Sequence, residues 1–108
     1  MGLFDLPHVA ARRRLPATLL PAADALEHKM RRAFGSLDEF DQSLAISIAF
    51  GALIAYLEET KPTLVGAADA AYISKAAKVA TTSFRRKEAV PVVVEYIIKK
   101  IDFDALPT

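Results

Sequence analysis

The chain has 108 residues, of which 53% are hydrophobic and 25% charged, and its 14 basic and 13 acidic side chains leave a net charge of only +1. Disordered chains combine low hydrophobicity with high net charge, so this composition excludes disorder for most of the chain and predicts one folded domain. The sequence contains no cysteine, which excludes disulfides and thiolate metal sites and favours a cytoplasmic location.

Alanine is the most informative residue of the composition, because it occupies 20 of the 108 positions. It is the strongest helix former and is depleted in strands. Asparagine does not occur and no Asp-Gly pair is present, so the usual residues of tight β-hairpin turns are missing. The sequence therefore predicts an all-α fold, a compact bundle of four main helices over residues 21–34, 36–59, 67–84 and 91–103.

Residues 1–20 are predicted to form an irregular N-terminal arm outside the bundle domain of residues 21–108. Pro7 and Pro16 interrupt the arm and Pro21 follows it, which is compatible with one short helix through residues 8–14. From Pro21 onward, apolar residues recur at spacings of three and four, as on one face of a helix that ends before Gly35. This inner face consists of Leu19, Ala23, Leu26, Met30 and Phe34.

The second helix is predicted to begin at Ser36, which has Glu39 three residues later in the pattern of a capping box. Its centre, residues 44–57, is apolar or small on every side, which is typical of a central core helix. These 14 residues span about 21 Å, less than the roughly 30 Å of a bilayer core. Small residues recur every four positions and predict a close approach by another helix, at Ser43, Ser47, Gly51 and Ala55.

The third and fourth helices are predicted from similar periodicity. The inner stripe of the third consists of Ala70, Ile73, Ala77, Ala80 and Phe84. The last segment is rich in β-branched residues and could also form a buried strand. Its spacing favours a helix, since a lone strand would have no partner and one helical face would carry Val94, Ile97, Ile98 and Ile101.

Residue patterns typical of enzymes do not occur in the sequence. The two histidines, His8 and His28, have neither a second histidine nor a cysteine at metal-binding spacing. The five serines lack a Gly-x-Ser-x-Gly setting, and no glycine-rich phosphate-binding loop occurs. We therefore expect no catalytic residues, no metal and no cofactor, and we expect that the protein is not an enzyme.

Charge is distributed in blocks along the chain. Residues 1–34 carry +3, residues 35–60 carry −5, residues 61–87 carry +5 and residues 88–108 carry −2. Such blocks favour electrostatic matching between segments, between subunits or with a partner. Two basic triplets are candidate contacts for nucleic acid or for an acidic partner, and they consist of Arg12, Arg13, Arg14, Arg85, Arg86 and Lys87.

The two ends of the chain resemble each other, with Phe-Asp-Leu-Pro at residues 4–7 and Phe-Asp-Ala-Leu-Pro at residues 103–107. Apolar terminal residues need a surface on which to pack. Either they fold back onto their own bundle or they are arms that bind a partner, through Leu3, Phe4, Leu6, Phe103 and Leu106. The sequence thus favours a non-enzymatic protein-interaction or assembly subunit, which binds a protein partner or a second copy of itself. A nucleic-acid-binding regulator is the alternative.

Overall fold

The longest helix forms the centre of an all-α bundle, described by a computed structural model over residues 5–108. This helix spans residues 39–60 and is buried almost continuously through its first half. The other helices pack around it, most extensively the one that follows it in the chain. In chain order the helices are α1 (Pro7–Arg13), α2 (Leu20–Ala33), α3 (Glu39–Thr60), α4 (Ala67–Thr81) and α5 (Ala89–Lys100).

The all-α fold predicted from the composition is confirmed, and no strand occurs in residues 5–108. The five apolar residues predicted for the inner face of α2 are all buried. The segment that could also have been a strand is helix α5, and Pro91 lies in its first turn, where no intrahelical N–H bond is lost.

The N-terminal segment differs from the predicted irregular arm. Helix α1 and a short 3₁₀ turn over Ala17–Leu19 are integral parts of the bundle, since Ala11 and Leu19 are completely buried. The prediction did not anticipate this packing because α1 is only two turns long and carries few apolar residues. From residue 7 onward the chain forms one folded unit.

The start of α3 also differs from the prediction, because Asp38, and not Ser36, caps the helix. The carboxylate of Asp38 accepts a hydrogen bond of 2.7 Å from the backbone N–H of Asp41. Residues 34–37 are needed for the turn that follows α2, and this turn buries Leu37 in the core. A helix beginning at residue 36 would leave no chain for this turn.

The C-terminal ends of α4 and α5 lie earlier than predicted. Helix α4 ends at Thr81, where hydroxyl groups of Thr81, Thr82 and Ser83 donate to carbonyl groups of the last turn. Phe84 is nevertheless buried, as its place in the predicted inner stripe required. Helix α5 ends at Lys100, and Phe103 belongs to a separate 3₁₀ turn over Phe103–Ala105.

Candidate interaction surfaces

A buried network formed by His8, Ser43 and Glu27 joins the first three helices. The Ser43 hydroxyl accepts the backbone N–H of His8 at 2.9 Å and lies 2.8 Å from the His8 Nδ1, while the His8 Nε2 lies 3.5 Å from a Glu27 oxygen. Burial lowers the pKa of His8, which Glu27 opposes in part, and in the neutral imidazole the Ser43 hydroxyl can donate to Nδ1.

This network contains the residue types of a hydrolase triad, but Ser43 is completely buried and His8 is only 4% exposed. A nucleophile must reach its substrate, and the Ser43 oxygen is enclosed between α1 and α3. The network therefore fastens α1 to the bundle. The sequence does not reveal the contact between His8 and Ser43, because the two residues lie 35 positions apart.

Asp41 forms a second buried polar contact that the sequence did not reveal. Its carboxylate is completely buried and accepts hydrogen bonds from the backbone N–H groups of Arg85, at 2.9 Å, and Arg86, at 3.0 Å. A buried carboxylate needs such partners, because an unpaired one would lose its hydration without compensation. Asp41 thereby fixes the turn between α4 and α5 against the start of α3.

The N-terminal basic triplet is paired with acidic residues of the same chain. Arg12 lies 2.6 Å from Asp24, Arg13 lies 2.8 Å from Asp5, and Arg14 lies 3.2 Å from Asp69. The guanidinium of Arg14 also lies 4.2 Å from the centre of the Tyr72 ring, in a cation–π contact. All three arginines of this triplet are thus paired with acidic groups of the same chain.

The second basic triplet lies in the turn between α4 and α5 and is exposed. The guanidinium of Arg85 is 3.8 Å from Asp38 and 5.0 Å from the centre of the Phe40 ring. Arg86 pairs with Glu88 at 3.1 Å, and Lys87 is exposed on the same turn.

The C-terminal residues proposed as an arm pack on their own bundle. Leu106 is buried in the core, and the Phe103 ring stacks on Tyr56 of α3 with ring centres 5.7 Å apart. The Tyr56 hydroxyl donates to Asp104, and this hydrogen bond raises the pKa of Tyr56. This end therefore packs on its own bundle and does not extend as an arm, with Leu106 buried and Phe103 half-buried.

At the N-terminal end, Leu6 is half-buried and precedes the first residue of α1. Leu3 and Phe4, the other two residues of the predicted arm, lie outside the described residues.

The stripe of small residues on α3 has several different neighbours. A Cβ added at Gly51 would overlap the Cβ of Ala77, so α3 and α4 approach closely at this point. Ser43 contacts α1 through His8, and the buried Ser47 hydroxyl donates to the Ser43 carbonyl at 3.1 Å. Ala55 is exposed and lines a groove between α3, α4 and α5. Close helix packing is thus concentrated at Gly51.

One apolar surface lies between α3, α4 and α5 and is here called the α5 groove. Its volume is about 380 Å³, and small and apolar side chains line it, among them Ala52, Ala55, Ala77, Val94 and Ile98. The prediction of which side of α5 faces the core is wrong in part. Ile97 and Ile101 are buried together with Val93, whereas Ile98 is 74% exposed.

A second apolar surface, here called the aromatic groove, lies between α3 and α4 beside the start of α1. Its volume is about 420 Å³, and it is lined by Phe40, Leu44, Tyr72, Lys75, Ala76 and Val79. Val79 is 53% exposed. The two arginines stacked on Phe40 and Tyr72 place positive charge beside this groove.

Residues 5–108 contain no candidate metal site and one long apolar helix. No group of three histidine or acidic side chains in this part of the chain is arranged to hold a metal ion. Helix α3 is long and apolar enough to cross a membrane by length and composition, but 67% of its most apolar window is buried within the bundle. Such burial is typical of a central core helix.

Comparison of the chain with protein-family models, with curated protein sequences and with solved structures gave no match.

Proposed function

We propose that this protein is a non-enzymatic protein-interaction subunit that assembles with a second copy of itself through the α5 groove. The observation that carries the proposal is Ile98, a large aliphatic side chain that is 74% exposed and lines a largely apolar groove. Full burial of such a side chain contributes about 1.5–3 kcal/mol. Exposed apolar patches of this kind mark interaction sites.

The shape of this surface suits a symmetric pair. A twofold interface brings the same patch of two copies together, so it must be self-complementary. Ile98 projects beside a shallow groove lined by Ala52, Ala55 and Ala77, which lack bulky side chains. In a twofold arrangement Ile98 of each copy would enter the groove of the other.

The charges beside Ile98 are also self-complementary. Glu95 and Lys99 form an ion pair at 3.3 Å on α5, and both side chains remain about two-thirds exposed. If two α5 helices pack antiparallel, opposite charges of the two copies come close to each other, as in other helix pairs with charged flanks. The same charges would oppose a parallel arrangement, in which like groups meet.

Two glutamate variants test the proposal by light scattering coupled to gel filtration over a dilution series. We expect the wild-type chain to be a dimer and Ile98→Glu to be a monomer, because burial of two glutamates opposite each other is strongly unfavourable. Val92→Glu is the matched control, since Val92 is 58% exposed but lies about 120° away around the α5 axis. A wild-type chain that stays monomeric at the highest concentration would refute the proposal.

A nucleic-acid-binding role is the alternative, and it has less support. Of the two basic triplets, five arginines lie within 4 Å of acidic groups of the same chain, which reduces the positive charge offered to phosphates. Fluorescence anisotropy with labelled duplex DNA over a salt series tests this alternative. Tight binding with a steep salt dependence would favour it over the proposed role.

A further inference from the structure

The aromatic groove has an apolar floor and a positively charged rim. Leu44 of α3 and Ala76 and Val79 of α4 supply the floor, and Lys75 lines one side. Arg14 and Arg85 add charge through their contacts with Tyr72 and Phe40. Lys75 thus lines the apolar depression, and Arg14 and Arg85 lie against two aromatic rings that line it.

The positive charge of the rim is only partly neutralised within the chain. The distance from Arg85 to Asp38 is 3.8 Å, near the limit for an ion pair, while Arg14 is closer to Asp69, at 3.2 Å. Lys75 has no ion pair with an acidic group in residues 5–108, and no acidic side chain of these residues lines the groove. An anionic partner would therefore be attracted by the positive charge that is not neutralised within the chain.

We propose that the aromatic groove binds an acidic amphipathic helix of a partner protein. The apolar face of that helix packs on Leu44, Ala76 and Val79, and its carboxylates pair with the surrounding cations. The part of α4 that lines the groove extends from Tyr72 to Ala80, about 12 Å, which matches about two turns of a docked helix. Helix-in-groove recognition of this kind uses apolar anchors at spacings of three and four.

Nucleic acid fits this groove less well than an acidic helix does. Single-stranded nucleic acid binds where aromatic faces are open for base stacking beside positive charge. Here the guanidinium of Arg14 covers a face of Tyr72 and that of Arg85 covers a face of Phe40. The lining between them is largely apolar, so it matches the leucine face of an amphipathic helix better than a phosphate backbone.

Two labelled synthetic helical peptides test the proposal by fluorescence anisotropy. Both carry the same leucine face, and their polar positions are glutamate in one peptide and lysine in the other. We expect the glutamate peptide to bind about tenfold more tightly than the lysine peptide, the combined effect of three exposed charge pairs, with a preference that weakens as salt is added. Equal affinity for the two peptides, or no binding of either, would overturn the proposal.

Reversing the charge of the groove tests the proposal more sharply than the comparison of the two peptides. In the double variant Lys75→Glu, Arg85→Glu the preference should reverse to the lysine peptide, a gain that an unfolded protein cannot produce. A double variant that still prefers the glutamate peptide would overturn the proposal. Val79→Glu, which places a carboxylate on the floor, should weaken binding of the glutamate peptide at least tenfold. Competition by single-stranded DNA that is also lost in Val79→Glu would assign the groove to nucleic acid instead.

Two further variants separate this groove from other parts of the chain. Ile98→Glu, which tests the α5 groove, should leave peptide binding unchanged, so the outcome here is independent of the proposed self-assembly. Deletion of residues 1–4, which precede the start of α1, should also leave the affinity unchanged. If only the shortened chain bound the peptide, the groove would belong to the chain's own N-terminal segment and the proposal would fail.

Discussion

Replacing Gly51 by alanine adds a methyl group where α3 and α4 approach most closely. The new Cβ would overlap the Cβ of Ala77, while the Ala77 Cα and the Ile73 carbonyl oxygen lie at ordinary contact distances of 3.8 and 3.9 Å. The conflict therefore involves a single atom. Both overlapping atoms are attached directly to helix backbones, so no side-chain rotation can relieve it.

Two opposing effects decide the stability of Gly51→Ala. Alanine in a helix interior is about 1 kcal/mol more favourable than glycine. Overpacking of a well-packed core costs about 1–3 kcal/mol, and the upper end applies here because two helices must separate. We therefore expect a net loss of about 2 kcal/mol in the free energy of unfolding.

The double variant Gly51→Ala, Ala77→Gly provides the decisive comparison. It moves the glycine from α3 to α4, so the sum of helix propensities is unchanged while the overlapping atom is removed. We expect its stability to lie within about 1 kcal/mol of wild type, although Ala77→Gly alone costs about 1 kcal/mol. Urea unfolding followed by circular dichroism measures all four proteins. A Gly51→Ala variant as stable as wild type would show that the close approach of α3 and α4 does not limit packing at this position.

Two further predictions concern buried polar groups, and urea unfolding measures both. Asp41→Asn leaves the backbone N–H groups of Arg85 and Arg86 with only one carbonyl acceptor, so we expect a loss of about 2–3 kcal/mol. The matched control is Asp38→Asn, which keeps a good N-cap and should change stability by less than about 0.5 kcal/mol; equal effects of the two variants would contradict the assigned role of Asp41. For His8, burial lowers the pKa from its ordinary value of 6.5, so the unfolded chain binds a proton more readily than the folded chain. Wild type should therefore lose stability as the pH falls below about 7, by at most about 1.4 kcal/mol per pH unit, and His8→Gln should lose less over the same range; identical pH profiles would show that His8 is not responsible.

The helical periodicity of the sequence predicted much of the fold because it reports local preferences. Four main helices were expected and found, with the correct inner residues in α2. The short helix allowed for residues 8–14 is present as α1, but its packing into the bundle was not predicted, and neither was the start of α3. There, two caps were available, and the burial of Leu37 decided between them.

The candidate surfaces were predictable only in part. The sequence identified the basic triplets, but the choice of the side of α5 that faces the core was wrong for Ile98. Val93, Ile97 and Ile101 recur every four residues and form an equally good helical face, so periodicity alone could not choose between the two. The position of α5 against α3 made that choice.

The sequence by itself determined the fold class, the central position of α3 and the block distribution of charge, because each depends on composition or on local spacing. Only the tertiary structure decided which polar groups are buried together. Ser43 meets His8 across 35 positions and Asp41 meets Arg85 across 44. Such pairs depend on how helices are oriented in space, which no local period encodes. For the same reason, only the packed bundle revealed an exposed Ile98 and a cation-rimmed groove beside α4.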